Sequence, residues 1–238
     1  MAFLVPDKTY NLYGLTINEK LITSKSGVKY YSNRKLNTKD HKPEYITIHN
    51  TPDINEAAGT NDAEQYARAT FNNNMGDVVV HYYIDESACW HILDDDTVGW
   101  HAADGVNGPG NTKSVAIEIV MDGSGKSWDV NAEDRGARLA AALLHKYGLG
   151  IDRLKTHRDW YPKKCCPAHI LPHWATFKAK VEKYLKELQK PAATPVQDTP
   201  SVKKLYRVQV GAYSNKTNAA AMQKKLKAAG FDAIIKEE

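Results

Sequence analysis

The sequence predicts an α/β domain, a mixed central β-sheet flanked by helices, followed by a small C-terminal β-α-β unit. Three observations carry this. Runs rich in β-branched and aromatic residues alternate with runs of helical period. A stretch with three prolines and no aromatic residue, positions 189–201 (QKPAATPVQDTPS), interrupts the chain like a semi-rigid linker. Beyond it the composition turns basic, with eight Lys and Arg against three acids from position 203 onward, which leaves positions 1–202 with 24 against 25. The formal net charge of +4 therefore lies in the tail, and the body is close to neutral.

In chain order, positions 45–49 (YITIH), 78–84 (VVVHYYI) and 114–120 (SVAIEIV) read as strands of one sheet. Positions 61–72 (NDAEQYARATFN) read as a helix with Asp62 placed to cap it. Positions 131–147 read as a second helix, with Asn131 as cap, Glu133 and Asp134 in the first turn, Leu139, Leu143 and Leu144 on one side, and Gly148 as the stop. Positions 172–188 present Trp174, Phe177, Val181, Tyr184 and Leu188 at spacings of three and four, a third helix. In the tail, 205–213 alternates like a strand, 218–229 is an Ala- and Lys-rich helix ending at Gly230, and 231–236 reads as a second strand. These readings divide the chain into a body at 1–188, a linker at 189–202 and a tail unit at 203–238.

Composition excludes several classes. With 238 residues, 42% of them hydrophobic and 25% charged, the chain is neither wholly disordered nor collagen-like. No run of 18 apolar residues is present, so membrane insertion is not expected. The N-terminal MAFLVPDKTYNLYG has no basic n-region and only AFLV before Pro6, which does not read as a secretory signal peptide. Three cysteines, two of them adjacent, suit a metal or reduced thiols better than a disulfide framework.

Three places carry chemistry together that none carries alone. His49 stands where a strand ends, His157 follows a short strand-like run, and positions 163–169 read KKCCPAH. Two imidazoles and one thiolate are a usual three-ligand catalytic zinc set, with a fourth position left for water.

The ordered motifs ITIHNT, VVVHYYID, VGWHA, NTKSVAIEI and HRDWYPKKCCPAHIL, spread over about 44–174, closely resemble the zinc-dependent N-acetylmuramoyl-L-alanine amidase type 2 family, which shares its fold with the peptidoglycan-recognition proteins. The resemblance implies His49 and His157 as Zn2+ ligands. Spacing from His157 points to Cys165 as the third, and the position directly before Pro, two residues after a Lys, points to Cys166. We take Cys166, with Lys164 as the cation facing the carbonyl oxygen; a Cys165 ligand would bring Lys163 instead. Some relatives place a Tyr before the histidine of the HY strand, where this chain has Val80. Others use a strand Glu, which is Glu118 here, and alternation sets Ala116, Glu118 and Val120 on one face, so its pKa is expected to be raised. His81, His101 and Trp100 match positions that bind substrate or orient ligands, although His81 reads equally well as a core histidine. Asp159 is expected to fix its loop rather than bind metal.

The implied reaction is hydrolysis of the amide joining N-acetylmuramic acid to L-alanine in Gram-positive peptidoglycan. The implied setting is a phage endolysin, made in the cytoplasm and released to the wall through a holin, or a bacterial autolysin. A non-catalytic peptidoglycan-binding protein on the same fold is the alternative. The tail (YRVQVGAYSNKTNA, LKAAGFDAII) resembles the first half of a sporulation-related (SPOR) repeat, a glycan-binding module. A unit of about 36 residues has little core of its own, so dimerisation through it is one expectation. Its charge suits anionic wall polymers, and nothing else points to nucleic acid.

Overall fold

The computed structural model describes residues 3–23, 26, 33–51, 62–190, 211–231 and 233–235. The chain divides into two units, Met1–Ala192 and Ala193–Glu238.

The first unit is built on a seven-stranded mixed sheet. From one edge the strands run β1 (Lys8–Leu12), β2 (Leu15–Glu19), β5 (Cys89–His91), β4 (Tyr82–Ile84), β6 (Ser114–Ile119), β3 (Tyr45–Asn50) and β7 (Leu154–Thr156). The β4, β6, β3 and β7 strands are mutually parallel, whereas β5 runs antiparallel to β4, β2 pairs parallel with β5, and β1 pairs antiparallel with β2. Tyr13 and Gly14 join β1 to β2 with positive φ at both positions, a two-residue turn that matches strand twist. Neither strand of this hairpin, nor β5, was expected from the sequence.

Strand alternation divides the core in two. On one face Ile46, Ile48, Val115, Ile117 and Ile119 pack under α3 (Ser127–Lys146) and α5 (Trp174–Gln189), which contribute Leu139, Leu143, Phe177 and Val181. On the other, Tyr83, Ala116 and Val120 pack with Ala63 and Ala67 of α1 (Asp62–Phe71). Two short helices, α2 (Pro109–Lys113) and α4 (His157–Trp160), lead into β6 and follow β7.

Three elements differ from expectation. The strand expected over 78–84 shortens to Tyr82–Ile84, because the His81 ring takes the Ala116 N–H that a continued ladder would use, at 3.0 Å. The second helix starts at Ser127, not after Asn131. Trp128 is buried there, and the Asp129 carboxylate accepts from the N–H groups of Asp122, Gly123 and Gly125, which secures the entry; Gly148 still ends the helix, at φ 65°. The third begins at Trp174 because Pro172 lies in a 3-10 turn, Leu171–His173.

In the second unit α6 (Lys216–Ala228) is capped by Asn215, which accepts from the Thr217 N–H, and it closes at Gly230 with φ 84°. The strand expected at 205–213 lies largely outside the described residues, as does the linker from 191 on. The described residues of the strand expected over 231–236 have no ladder partner among the described residues. Phe231 and Ile234 stay exposed, and the Ala233 carbonyl accepts from the Gln223 side chain instead.

Candidate metal centre and catalytic cleft

His49 lies near the C-terminal end of β3, where parallel pairing sets it level with Glu118 of β6, and Glu118 level with Tyr83 of β4. Level positions in a parallel ladder present side chains on one face, so His49 and Glu118 share the α1 side. His157 opens α4 under a capping box. The Thr156 hydroxyl accepts from the Asp159 N–H at 3.1 Å, and the Asp159 carboxylate accepts from the Thr156 N–H at 2.7 Å. Asp159 thus fixes the turn that presents His157.

The loop after α4 carries the thiols. Cys165 is exposed, while Cys166 is half-buried with its Sγ 3.5 Å from His49 Nδ1. The donor atoms of His49, His157 and Cys166 lie within 4.8 Å of one another, so this group could hold a metal ion. The ring centroids of His49 and His157 are 4.8 Å apart.

The donors suit a cation. Burial, then the charges of His157 and Lys164, hold His49 well below the usual imidazole range. Burial, then Lys164, lowers His157 to about 4, against a hydrogen bond to the Ala102 backbone. Both rings are therefore neutral at pH 7, with a lone pair available, and His157 Nε2 is buried without a partner. Burial and the Glu118 charge push the Cys166 thiol up to about 12, opposed by the Asn50 backbone N–H and by Lys164. A bound cation would reverse that balance and favour the thiolate.

Glu118 is half-buried among apolar neighbours, and desolvation alone raises it to about 8. Lys164 is exposed, but its charge acts on His49, His157 and Cys166. His49, His157, Cys166, Glu118 and Lys164 thus converge.

The other three residues expected at the site differ. His81 is a satisfied core histidine and not a substrate contact: it is fully buried, its Nδ1 accepts from the Ala116 N–H, and its Nε2–H donates to the Thr97 carbonyl at 2.9 Å. His101 is buried and sits behind the cluster, its Nδ1 3.1 Å from His49 Nε2. Trp100 is 37% exposed and its backbone bridges to Val79, which leaves the indole open to solvent. Asn50 and Asn111 were not singled out from the sequence. Asn50 donates its N–H to Cys166 and accepts from His169 N–H at 3.1 Å. Its place directly after His49 was the available signal.

Two neutral imidazoles and a thiol beside a raised carboxylate and a lysine, on an α/β sheet, are a donor set that could hold a metal ion next to a proton carrier. Residues 39–169, more than half of the chain, match the N-acetylmuramoyl-L-alanine amidase family (Amidase_2), and the chain belongs to it. Residues 177–237 match the SPOR domain; this match begins inside α5, whose Phe177 is buried in the first unit's core.

Among relatives, CwlA of Bacillus subtilis (strain 168), an N-acetylmuramoyl-L-alanine amidase, is 36% identical over 149 residues, covering 62% of this chain and 52% of CwlA. XlyB of the same organism, also an N-acetylmuramoyl-L-alanine amidase, is 38% identical over 144 residues, 60% of this chain and 43% of XlyB. The chain spans about half the length of these relatives. The solved structure of PlyL is similar with a TM-score of 0.60 at 30% identity, covering 71% of this chain and 98% of that one. The catalytic domain of XlyA gives 0.58 at 30%, covering 69% and 98%.

Proposed function

We propose that this chain is a zinc-dependent N-acetylmuramoyl-L-alanine amidase that cleaves the bond between the lactyl carbonyl of N-acetylmuramic acid and the L-alanine of the stem peptide during wall lysis. The observation that carries the reading is the convergence of the His49, His157 and Cys166 donors beside a carboxylate set level with His49 by strand register. These three residues would hold Zn2+. When bound, zinc supplies Lewis acidity, polarising the scissile carbonyl and acidifying water. Glu118, with its raised pKa, accepts the proton of the attacking water and returns one to the departing amine. Lys164 places positive charge near the developing oxyanion. Trp100, exposed and next in sequence to His101, offers a flat surface to sugar or peptide.

The substrate is Gram-positive peptidoglycan, in keeping with the Bacillus relatives. The tail unit, read as a partial SPOR module, adds attachment to glycan and to anionic wall polymers through its basic charge. Release to the wall in a lysis programme, as for an endolysin, is the setting that suits the pair. Digestion of defined peptidoglycan with mass analysis, with and without a zinc chelator, tests the reading. Free N-terminal alanine appearing only without chelator is the expected result. New termini within the stem peptide, or chelator-insensitive cleavage, would overturn it.

A further inference from the structure

One side chain outside the ligand set reaches both imidazoles through two consecutive residues. Asn111 of α2 is fully buried. Its Oδ1 accepts from the His101 N–H at 2.9 Å and from the Ala102 N–H at 2.8 Å. Its own position is fixed in turn, because Nδ2 donates to the Gly105 carbonyl at 3.1 Å and its N–H donates to Asp104, which also caps α2 through Gly110.

From the His101–Ala102 peptide two arms extend. The His101 ring places Nδ1 3.1 Å from His49 Nε2, and the Ala102 carbonyl accepts from the His157 ring. The tautomers follow. His49 turns Nδ1 to Cys166; with a metal held at that atom its proton would reside on Nε2 and be donated to His101. His157 keeps Nε2 unpartnered, so the proton given to Ala102 is on Nδ1. Each histidine is left with one lone pair, on the side of the cluster. The backbone packs closely against the His101 ring: a Cβ on Gly99 would stand 2.9 Å from its Cδ2 and 3.0 Å from Cε1 of His81, so a larger residue there would press on both rings.

We propose that Asn111 is the positioning residue of the metal centre, holding the two-residue segment His101–Ala102, whose two arms set the orientation and tautomer of both histidine ligands. The proposal rests on the zinc reading above. It gives α2 a purpose the strand and loop ligands do not reveal, since a short helix before β6 governs residues on β3 and α4.

The test is the zinc dissociation constant by chelator competition, together with the visible absorption of the cobalt(II)-loaded protein. Removing hydrogen bonds behind metal ligands costs about 10–100-fold in affinity, and that loss is expected for Asn111→Ala, with shifted cobalt bands. His101→Leu severs only the His49 arm and leaves the backbone N–H groups for Asn111; it too is expected to weaken zinc at least about tenfold, and it serves where Asn111→Ala does not fold. Leu185→Ala, which destabilises the core under α5 away from the cleft, should leave both readouts unchanged. If Asn111→Ala, or His101→Leu in its place, binds zinc within twofold of the parent with unaltered cobalt bands, the positioning role is wrong. A parent that takes up no zinc would instead overturn the reading on which it rests.

Discussion

At the residue scale the chemistry turns on which of two adjacent thiols faces the histidines. Cys166 lies against His49 Nδ1 and receives the Asn50 N–H, whereas Cys165 is exposed. Cys166→Ser is expected to strip the metal, while Cys165→Ser should retain it; atomic spectroscopy of the purified variants checks both. Glu118 yields a separate expectation. Glu118→Gln should keep zinc but lose about 10²–10⁴-fold in turnover, the usual worth of a positioned proton carrier. Its raised pKa also fixes a sign in the metal-free protein. The folded carboxyl holds its proton up to about 8, while the unfolded one releases it near 4.5. Stability is therefore highest below 4.5 on this account and falls as pH rises toward 8. His49 and His157 act oppositely, but only below about 6.5, where they would charge once unfolded. Between 6.5 and 8 the wild type should lose up to about 1 kcal/mol per pH unit, reduced by the partial water access of Glu118, and Glu118→Gln should show a flat profile in urea titrations. The convergence of His49, His157 and Cys166 was legible from the motifs, because two imidazoles and a thiol are a usual donor set for a metal. His81 was not separable from them, since only the coordinates show both of its nitrogens spent on backbone partners.

At the scale of elements, ligands are held by short pieces whose geometry comes from caps and not from length. The α4 helix has four residues, too few to be stable by propensity, so the Thr156–Asp159 capping box decides whether His157 is presented. Asp159→Ala removes the acceptor of the Thr156 N–H and is expected to cost about 1 kcal/mol, read as a lower urea midpoint for the metal-free protein, with weaker zinc binding beside it. The long helices α3 and α5 were readable because apolar residues recur at helical spacing over many turns. Their starts were not. Trp128 and Asp129 draw α3 forward by burial and by loop hydrogen bonds that no local pattern encodes. The β1–β2 hairpin and β5 were invisible for a related reason: strands of three to five residues carry little alternation, β5 being buried throughout, and a Tyr13-Gly14 turn is a weak signal. The clamp formed by Asn111 belongs here as well, because a polar residue in a GPGNT stretch reads as a turn until the helix beneath it is seen.

For the whole molecule, the charge excess and the candidate site are divided between the two units. All eight residues expected at the site, and both apolar cores, lie in the first unit, whose charge is near neutral; the basic excess belongs to the second. In the second unit no described residue is fully buried, and Tyr213, Phe231 and Ile234 are exposed, so its worth to the protein is surface and not fold. Deleting residues 193–238 is therefore expected to leave zinc content unchanged and hydrolysis of short, soluble muropeptides within about twofold, while binding to intact walls falls. A contribution from eight cations is electrostatic and screened over about 10 Å at 0.1 M salt, so the full chain should lose wall binding as ionic strength rises, whereas the truncated chain should respond weakly. Sedimentation of both proteins with purified walls across a salt series measures this. Equal retention of the two at low salt would remove the tail from wall attachment, and the zinc reading proposed for the first unit would stand unaffected.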